Sequence, residues 1–313
     1  MERNGSGPIV RYLITGISGF VGCHLAHHLL DQGDEVVGTC LGACPELPGV
    51  KVYDADLLDP AELARVVEEA DPEVVIHLGG RSHVGESWKK MAEHFQVNVL
   101  GTENLLTAAA GRRVVLASSA EVYGRVPEAQ QPISEQQPLA PRTPYALTKA
   151  AAERLALGAG AVVVRSFNVV GPGQAPQFAL PAFTAQLAAI EAGRQEPVLK
   201  VGNLGARRDF VHIADAVRGY RLAAERGENG GVYNLASGVD HSVREVLEKL
   251  IEVSGVDVDV EQDSRRVRPV DVSLLRGDSR RLQGLGWSLE HDLDQALEDL
   301  WAARTLPVLE VPR

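Results

Sequence analysis

Tyr145 and Lys149 stand four residues apart at the head of a predicted helix, Pro144 to Leu157. That spacing sets a phenol and an ammonium on one helix face, a turn apart. A neighbouring cation favours phenolate, so a tyrosine in this setting can exchange a proton near neutral pH. Taken alone, the pair is also ordinary helix surface. Its position gives it meaning, because the helix follows an apolar run, Val114 to Ser118, that ends in Ser118-Ser119. Strand ends at the carboxyl edge of a parallel sheet face the ligand crevice, where a serine hydroxyl can bond a substrate oxygen beside the tyrosine. Glu121, two residues on, reads either as a second acid/base group or as a solvated loop charge.

These groups need a scaffold, and the stretch Thr15-Gly16-Ile17-Ser18-Gly19-Phe20-Val21-Gly22 announces one. It lies between an apolar run, Ile9 to Ile14, and an apolar-periodic stretch, Phe20 to Leu30. A strand that stops at a glycine and restarts as a helix aims the helix's free N–H groups and dipole at the turn, a site for a pyrophosphate. Gly16, Gly19 and Gly22 then serve a tight turn, a bare backbone beside the phosphate and close packing of helix on strand. Ser18, Phe20 and Val21 belong to the same cofactor turn.

A second strand, Glu35 to Thr39, leads into Thr39-Cys40-Leu41, which holds neither the acid that selects NAD nor an arginine that accepts NADP. The cofactor is therefore NADP or NAD; the missing acid favours NADPH, and the missing arginine leans back. After Val50 to Tyr53, the pair Asp56-Leu57 either reaches the adenine or precedes a helix cap at Asp59, with Asp59-Pro60 opening a helix to about Ala70. Val74 to Gly80 is a continuous apolar run, as in a buried parallel strand, and Leu78 and Gly79 at its end would let a cofactor lie against the backbone. A long helix is expected from about Lys89 to Ala110, carrying Asn98 as a further cofactor residue.

Strand and helix alternate throughout, so the fold class is α/β, a doubly wound parallel sheet of Rossmann type. The expected dinucleotide-binding domain spans 1–170, with return segments near 208–235. A smaller, interleaved substrate lobe occupies most of 171–313, beginning where Gly171-Pro172-Gly173 breaks the alternation. Asp209 to His212 and Val232 to Leu235 are both expected to return to the sheet. The long proline-rich loop from Gln130 to Pro144 suits a cover over a site.

The 313 residues carry a net charge of -11, which argues against nucleic acid or an anionic membrane as partner. Any anionic ligand must be held by local arginines. Cys23, Cys40 and Cys44 lack metal-type spacing, so no metal is expected, and an odd, small count suits a reducing, cytoplasmic setting.

The glycine turn with Tyr145-x-x-x-Lys149 resembles the extended short-chain dehydrogenase/reductases that act on nucleotide sugars, and the likeness runs over nearly the whole chain. Ser118-Ser119-Ala120-Glu121-Val122-Tyr123-Gly124 and Pro141-Arg142-Thr143-Pro144-Tyr145 match its active-site segments. Arg165 to Gln174, Glu196 to Leu204, Ala206 to Phe210 and Arg268 to Val272 are most similar to the GDP-4-keto-6-deoxy-D-mannose reductases. The GDP-mannose 4,6-dehydratases share some of these segments.

The resemblance implies reduction of the C4 ketone of a GDP-linked 4-keto-6-deoxyhexose to GDP-D-rhamnose. Tyr145 would be the proton donor, Lys149 would bond the nicotinamide ribose, and Ser119 or Ser118 would polarise the carbonyl. It further implies that Asn168, Arg208 and Arg268 hold the diphosphate, that Lys200 to Asn203 lie against guanine through backbone groups, and that Gln174 lines the pocket. Ser82, His83 and Glu86 would reach the hexose, and the protein would be a homodimer through the Tyr-Lys helix and the helix before it. A dehydratase using Glu121, a 4-epimerase and a non-catalytic dinucleotide sensor are the alternatives; retention of both Tyr145 and Lys149 speaks against the sensor.

Overall fold

The computed structural model describes residues 8–42, 44, 46–266 and 272–306. In chain order the first lobe holds β1 (Arg11–Thr15), α1 (Phe20–Asp31), β2 (Glu35–Cys40), β3 (Lys51–Asp54), α2 (Pro60–Ala70), β4 (Val74–His77), α3 (Val84–Ser87), α4 (Met91–Phe95), α5 (Gly101–Ala108), β5 (Arg113–Ser119), α6 (Pro144–Gly158) and β6 (Val162–Ser166). There follow β7 (Asn168–Val170), α7 (Ala179–Glu191), β8 (Val198–Val201), β9 (Arg207–His212), α8 (Ile213–Arg226), β10 (Val232–Leu235), β11 (Asp240–Ser242), α9 (Val243–Ser254), β12 (Asp259–Gln262), β13 (Leu274–Leu275), α10 (Arg280–Gln283) and α11 (Leu293–Ala302).

Seven strands pair in parallel in the order β10-β6-β5-β4-β1-β2-β3. Because β1 lies between β2 and β4, the winding reverses direction there, and a crevice opens at the carboxyl ends of β1 and β4. Their apolar runs are buried on both faces: Tyr12, Ile14 and Ile76 pack on one side under α1 and α8, Leu13 and Val75 on the other under α2 and α5. Chain direction is set by side-chain caps. Asp59 accepts from Ala61 N and Glu62 N ahead of Pro60, and Thr143 accepts from Ala146 N ahead of Pro144. Ser242 and Glu245 form a reciprocal cap on α9.

Two expectations are corrected. The helix expected from Lys89 to Ala110 is α4 and α5 joined by a π-helical turn, Gln96–Leu100, which holds Asn98. Of the two expected return strands, β10 joins the large sheet beside β6, in register from Val232↔Val163 to Leu235↔Ser166. β9 does not. It is central to a second sheet, pairing with β7, β11 and β13. The cause lies in strand alternation: Phe210 faces the core of the second lobe while Val211 faces that of the first, so β9 runs between the two cores. β8 and β12 form a separate parallel pair. Among the described residues no helix is long and apolar enough to cross a membrane.

Candidate active site

At the reversal of winding, the backbones of β1 and β4 meet at two glycines. Gly16 has φ 69°, and a Cβ placed on it would lie 2.8 Å from both Cα and N of Gly79. On Gly22 a Cβ would collide with the Gly16 carbonyl, so α1 can sit this close to the turn only without a side chain there. Gly19 caps α1 with no side-chain hydrogen bond, and the first turn carries no acid. The positive end of the helix dipole therefore faces the turn without a counter-charge. This is a cradle that side chains would fill, and it fits a dinucleotide pyrophosphate. Thr15 Oγ1 pins the opposite wall, accepting from Gly79 N at 3.2 Å and bonding His77 Nδ1 at 2.7 Å. Burial holds His77 down at about 3, so its ring is a neutral strut that bonds Thr102 Oγ1 at 3.0 Å.

Asp56 and Leu57, expected near the adenine, make local contacts at the turn into α2. Asp56 Oδ1 accepts from Leu58 N at 2.9 Å, and its own N–H donates to Glu62, so this carboxylate shapes the turn into α2. Leu57 packs against Gly79 and its carbonyl accepts from Asn104 Nδ2 at 3.0 Å.

Tyr145 and Lys149 share the buried face of α6. Ser119, at the carboxyl end of β5, lies beside the Tyr145 phenol, and its Oγ accepts from Glu121 N at 3.2 Å. Burial pushes the phenol above its ordinary value; the nearby Ser119 hydroxyl works against that, and the charge of Glu121 adds to it. Lys149 is not among the groups that shift the resting phenol. Lys149 Nζ instead donates to the carbonyl of Ala117 at 2.7 Å, and burial lowers its ammonium to about 8. The tyrosine is thus a neutral phenol, able to donate a proton.

Two residues expected to face the cofactor turn elsewhere. Ser118 Oγ donates to the buried carboxylate of Glu153, because alternate residues of β5 point to opposite faces and Ser119 takes the crevice side. Asn98 is buried, and its amide braces the crevice wall: Oδ1 accepts from Arg81 N at 2.7 Å, while Nδ2 donates to Arg81 O at 3.0 Å and to Thr148 Oγ1 at 2.9 Å. Thr148 passes the link to the carbonyl of Tyr145 at 2.7 Å, so the β4 loop is tied to α6.

On the sugar side, His83 caps α3 by accepting from Glu86 N at 2.9 Å, and its ring lies edge-on to Phe178, centroids 6.4 Å apart. The loop after β4 thereby meets the start of α7. Ser82 is exposed beside them, whereas Glu86 is ion-paired with Lys90 at 3.1 Å and Arg81 at 3.4 Å. Asn168 is exposed at the start of β7, and Gln174 Nε2 donates to Val169 O at 3.0 Å.

In the expected guanine segment, Lys200 is not available through its backbone: its N–H and carbonyl are both taken by the Gln186 amide, at 3.0 and 3.1 Å. Asn203 is exposed and accepts from Gly205 N. Arg208 is buried, with Nη1 donating to the carbonyls of Val272 at 2.6 Å and Arg207 at 2.9 Å. Arg268 lies outside the described residues. Sequence reasoning missed Thr15, His77, Thr148, Glu153 and Arg165. The parity of β5 and the repeat Tyr145, Lys149, Glu153 at helical spacing were signals for Glu153.

Comparison with known proteins places the chain in a family. A family model described as GDP-mannose 4,6 dehydratase matches residues 13–300. GDP-6-deoxy-D-mannose reductase of Pseudomonas aeruginosa is 35% identical over 311 residues, covering 94% of this chain and 98% of that protein. The structure of RMD from Pseudomonas aeruginosa complexed with NADPH matches with a TM-score of 0.82 at 35% identity, over 94% of this chain and 98% of that one. UDP-glucose 4-epimerase of Thermus thermophilus, in complex with NAD, matches with a TM-score of 0.86 at 29% identity, over 95% and 100% of the two chains. The chain belongs to the GDP-mannose 4,6-dehydratase family, in the nucleotide-sugar branch of the extended short-chain dehydrogenase/reductases.

Proposed function

We propose that this protein reduces the C4 ketone of a GDP-linked 4-keto-6-deoxyhexose with NAD(P)H, giving GDP-D-rhamnose. The observation that carries the reading is a buried, neutral Tyr145 phenol beside Ser119, in a chain 35% identical over 94% of its length to a GDP-6-deoxy-D-mannose reductase. Gly16, Ser18, Gly19, Phe20, Val21 and Gly22 would hold the dinucleotide, with Gly79 as the facing wall. When bound there, the reduced nicotinamide supplies the hydride for C4. Tyr145 gives its proton to the oxygen at C4, so that ketone, hydride and proton sum to the alcohol. Ser119 orients that oxygen beside the phenol, and the Lys149 ammonium supplies positive charge as the phenolate forms. Asn168, Asn203, Arg208 and Arg268 are proposed on the nucleotide side, and Ser82, His83 and Gln174 on the sugar side.

A dehydratase reading is favoured by one observation: Glu121 lies near enough to the Tyr145 phenol to act on it electrostatically. One experiment separates the two. The purified protein is given GDP-4-keto-6-deoxymannose with NADPH or NADH, and nicotinamide absorbance is followed while the product is identified by NMR. Stoichiometric loss of absorbance with GDP-D-rhamnose as product supports the reductase. Turnover of GDP-mannose without net change in cofactor would replace it with the dehydratase.

The functional unit in this reading is a homodimer. Phe95 and Leu100, at α4 and the π-helical turn, and Leu147 and Leu155 on α6 are exposed apolar side chains on adjacent packed elements, suited to a second copy of the same face.

A further inference from the structure

Glu153 lies one turn beyond Lys149 on α6 and is 1% exposed, yet the proton transfer described above gives it no task. Its carboxylate is fully engaged. Ser118 Oγ donates to Oε1, Arg165 Nε lies 3.1 and 3.2 Å from the two oxygens, and Arg165 Nη2 donates to Oε2 at 2.8 Å. Arg165 is also the cross-strand partner of Ser118 in the β5–β6 register, so the ion pair clamps both strands at their carboxyl ends.

The clamp extends outward. Arg165 Nη1 donates to Tyr123 OH at 3.0 Å and to Glu135 O at 3.3 Å, and Tyr123 OH donates to Asn234 Oδ1 at 2.6 Å. Asn234 Nδ2 in turn donates to Ile133 O at 2.8 Å and Asp278 O at 3.2 Å. One buried pair therefore ties the catalytic helix to the end of β5, to the turn after it, to the loop around 133–135 and to β10. A buried ion pair is a poor source of stability, since apolar residues of similar volume often serve as well. What it supplies is fixed geometry beside the reacting phenol.

We infer that Glu153 is a positioning residue for the proton transfer: by gripping Ser118 and Arg165 it fixes the end of β5, so that Ser119 meets the Tyr145 phenol and the Ala117 carbonyl receives Lys149. The inference rests on the reductase reading only for its kinetic readout. Its charge acts in the same sense as its grip, because Glu153 opposes the lowering of Lys149 that burial causes. The other charged or titratable groups in this neighbourhood are Arg165 on β6, Tyr123 and Glu121 on the turn, Glu135 in the loop, His77 on β4 and Tyr220 on α8. Loss of the carboxylate removes the charge that opposes the effect of burial on Lys149, so the ammonium is given up at lower pH whether or not Arg165 is present.

The test compares Glu153→Gln and the charge-neutral pair Glu153→Gln with Arg165→Met. In Glu153→Gln, kcat falls roughly tenfold while the sugar-nucleotide KM changes less than about twofold, the signature of an effect confined to the chemical step. The alkaline limb of the kcat profile moves down by about one pH unit. The double variant removes the stranded arginine, keeps a melting temperature near that of the parent, and shows the same lowered kcat and moved limb. A second readout needs no sugar: acetylation of Lys149 by acetic anhydride, followed by mass spectrometry across pH, has its midpoint about one unit lower in both variants. If the parent does not reduce the keto-sugar, the reductase reading falls while the acetylation arm still decides this inference. A folded double variant with parental kcat, limb and midpoint overturns it. So does a lowered kcat with neither limb nor midpoint moved, and so does loss of the fold in both variants, since each of these marks a purely structural role.

Discussion

Lys149 Nζ donates to the carbonyl of Ala117 at 2.7 Å, two residues before the serine that lies beside the Tyr145 phenol. The ammonium and the phenol thus take their positions from the same strand end rather than from each other. Anything that shifts the end of β5 moves both.

Removing the phenol oxygen isolates the proton donor. Tyr145→Phe is expected to lower kcat by roughly a thousandfold, within the range for a positioned general acid. Its melting temperature should change little, because the change removes one hydrogen-bonding group, worth about 1 kcal/mol. Ser119→Ala should have a smaller effect on kcat. Stopped-flow absorbance of the reduced nicotinamide with the keto-sugar measures both, and a Tyr145→Phe variant with parental turnover would remove the tyrosine from the mechanism.

Lys149 gives the reaction a pH limit. Burial holds the ammonium at about 8, below its usual 10.5, so the rate should fall as pH rises through about 8. The stability effect has the opposite slope. Between those two values the unfolded chain binds the proton that the folded chain has lost, so this group makes unfolding harder as pH rises across the window. Lys149→Met should remove that part of the slope, as read from urea midpoints at pH 7.5 and 9.5 compared with the parent.

Gly16→Ala tests the cradle without touching the chemistry. The new methyl would need a left-handed backbone at φ 69° and would press on Gly79 at 2.8 Å. Strain of about 1–3 kcal/mol at such a position corresponds to binding weakened by roughly ten- to a hundredfold. Nicotinamide fluorescence titration reads it directly, and unchanged affinity would mean that the dinucleotide does not lie at this turn.

Phe95→Glu combined with Leu147→Glu should yield a monomer by light scattering, since both side chains are exposed on the apolar face formed by α4 and α6. A parental protein that is itself monomeric at micromolar concentration would remove the dimer from the proposed function.

Local patterns in the chain were enough for the parts that local patterns control. The glycine turn, the alternation of buried strands and the Tyr145–Lys149 spacing all act within a few residues of themselves, and each lies where those patterns put it. The assignment of Ser118 to the crevice failed because a two-serine strand end admits either face. Strand parity decides it only once the direction of one side chain is known, here Ser118 toward Glu153. The role of Asn98 was hidden for a different reason: its partners Arg81 and Thr148 are 17 and 50 residues away. The place of β9 was hidden because an apolar strand with both faces covered looks the same whether it joins one sheet or passes between two cores. In the Lys200 segment the obstacle was the Gln186 side chain, which no pattern around residue 200 announces.

The sheet of the first lobe is completed by a strand that arrives late. β6 ends at Ser166, but the partner for its outer edge, β10, is not made until Leu235. During synthesis the edge of β6 therefore waits, unpaired, for roughly seventy more residues to leave the ribosome, some seconds at ordinary elongation rates. A fragment cut at the glycine-rich junction near Gly171 would carry that open edge permanently, an invitation to strand-to-strand aggregation. The two lobes should consequently resist separate expression, and any split version of this protein should keep residues 162–235 on one piece.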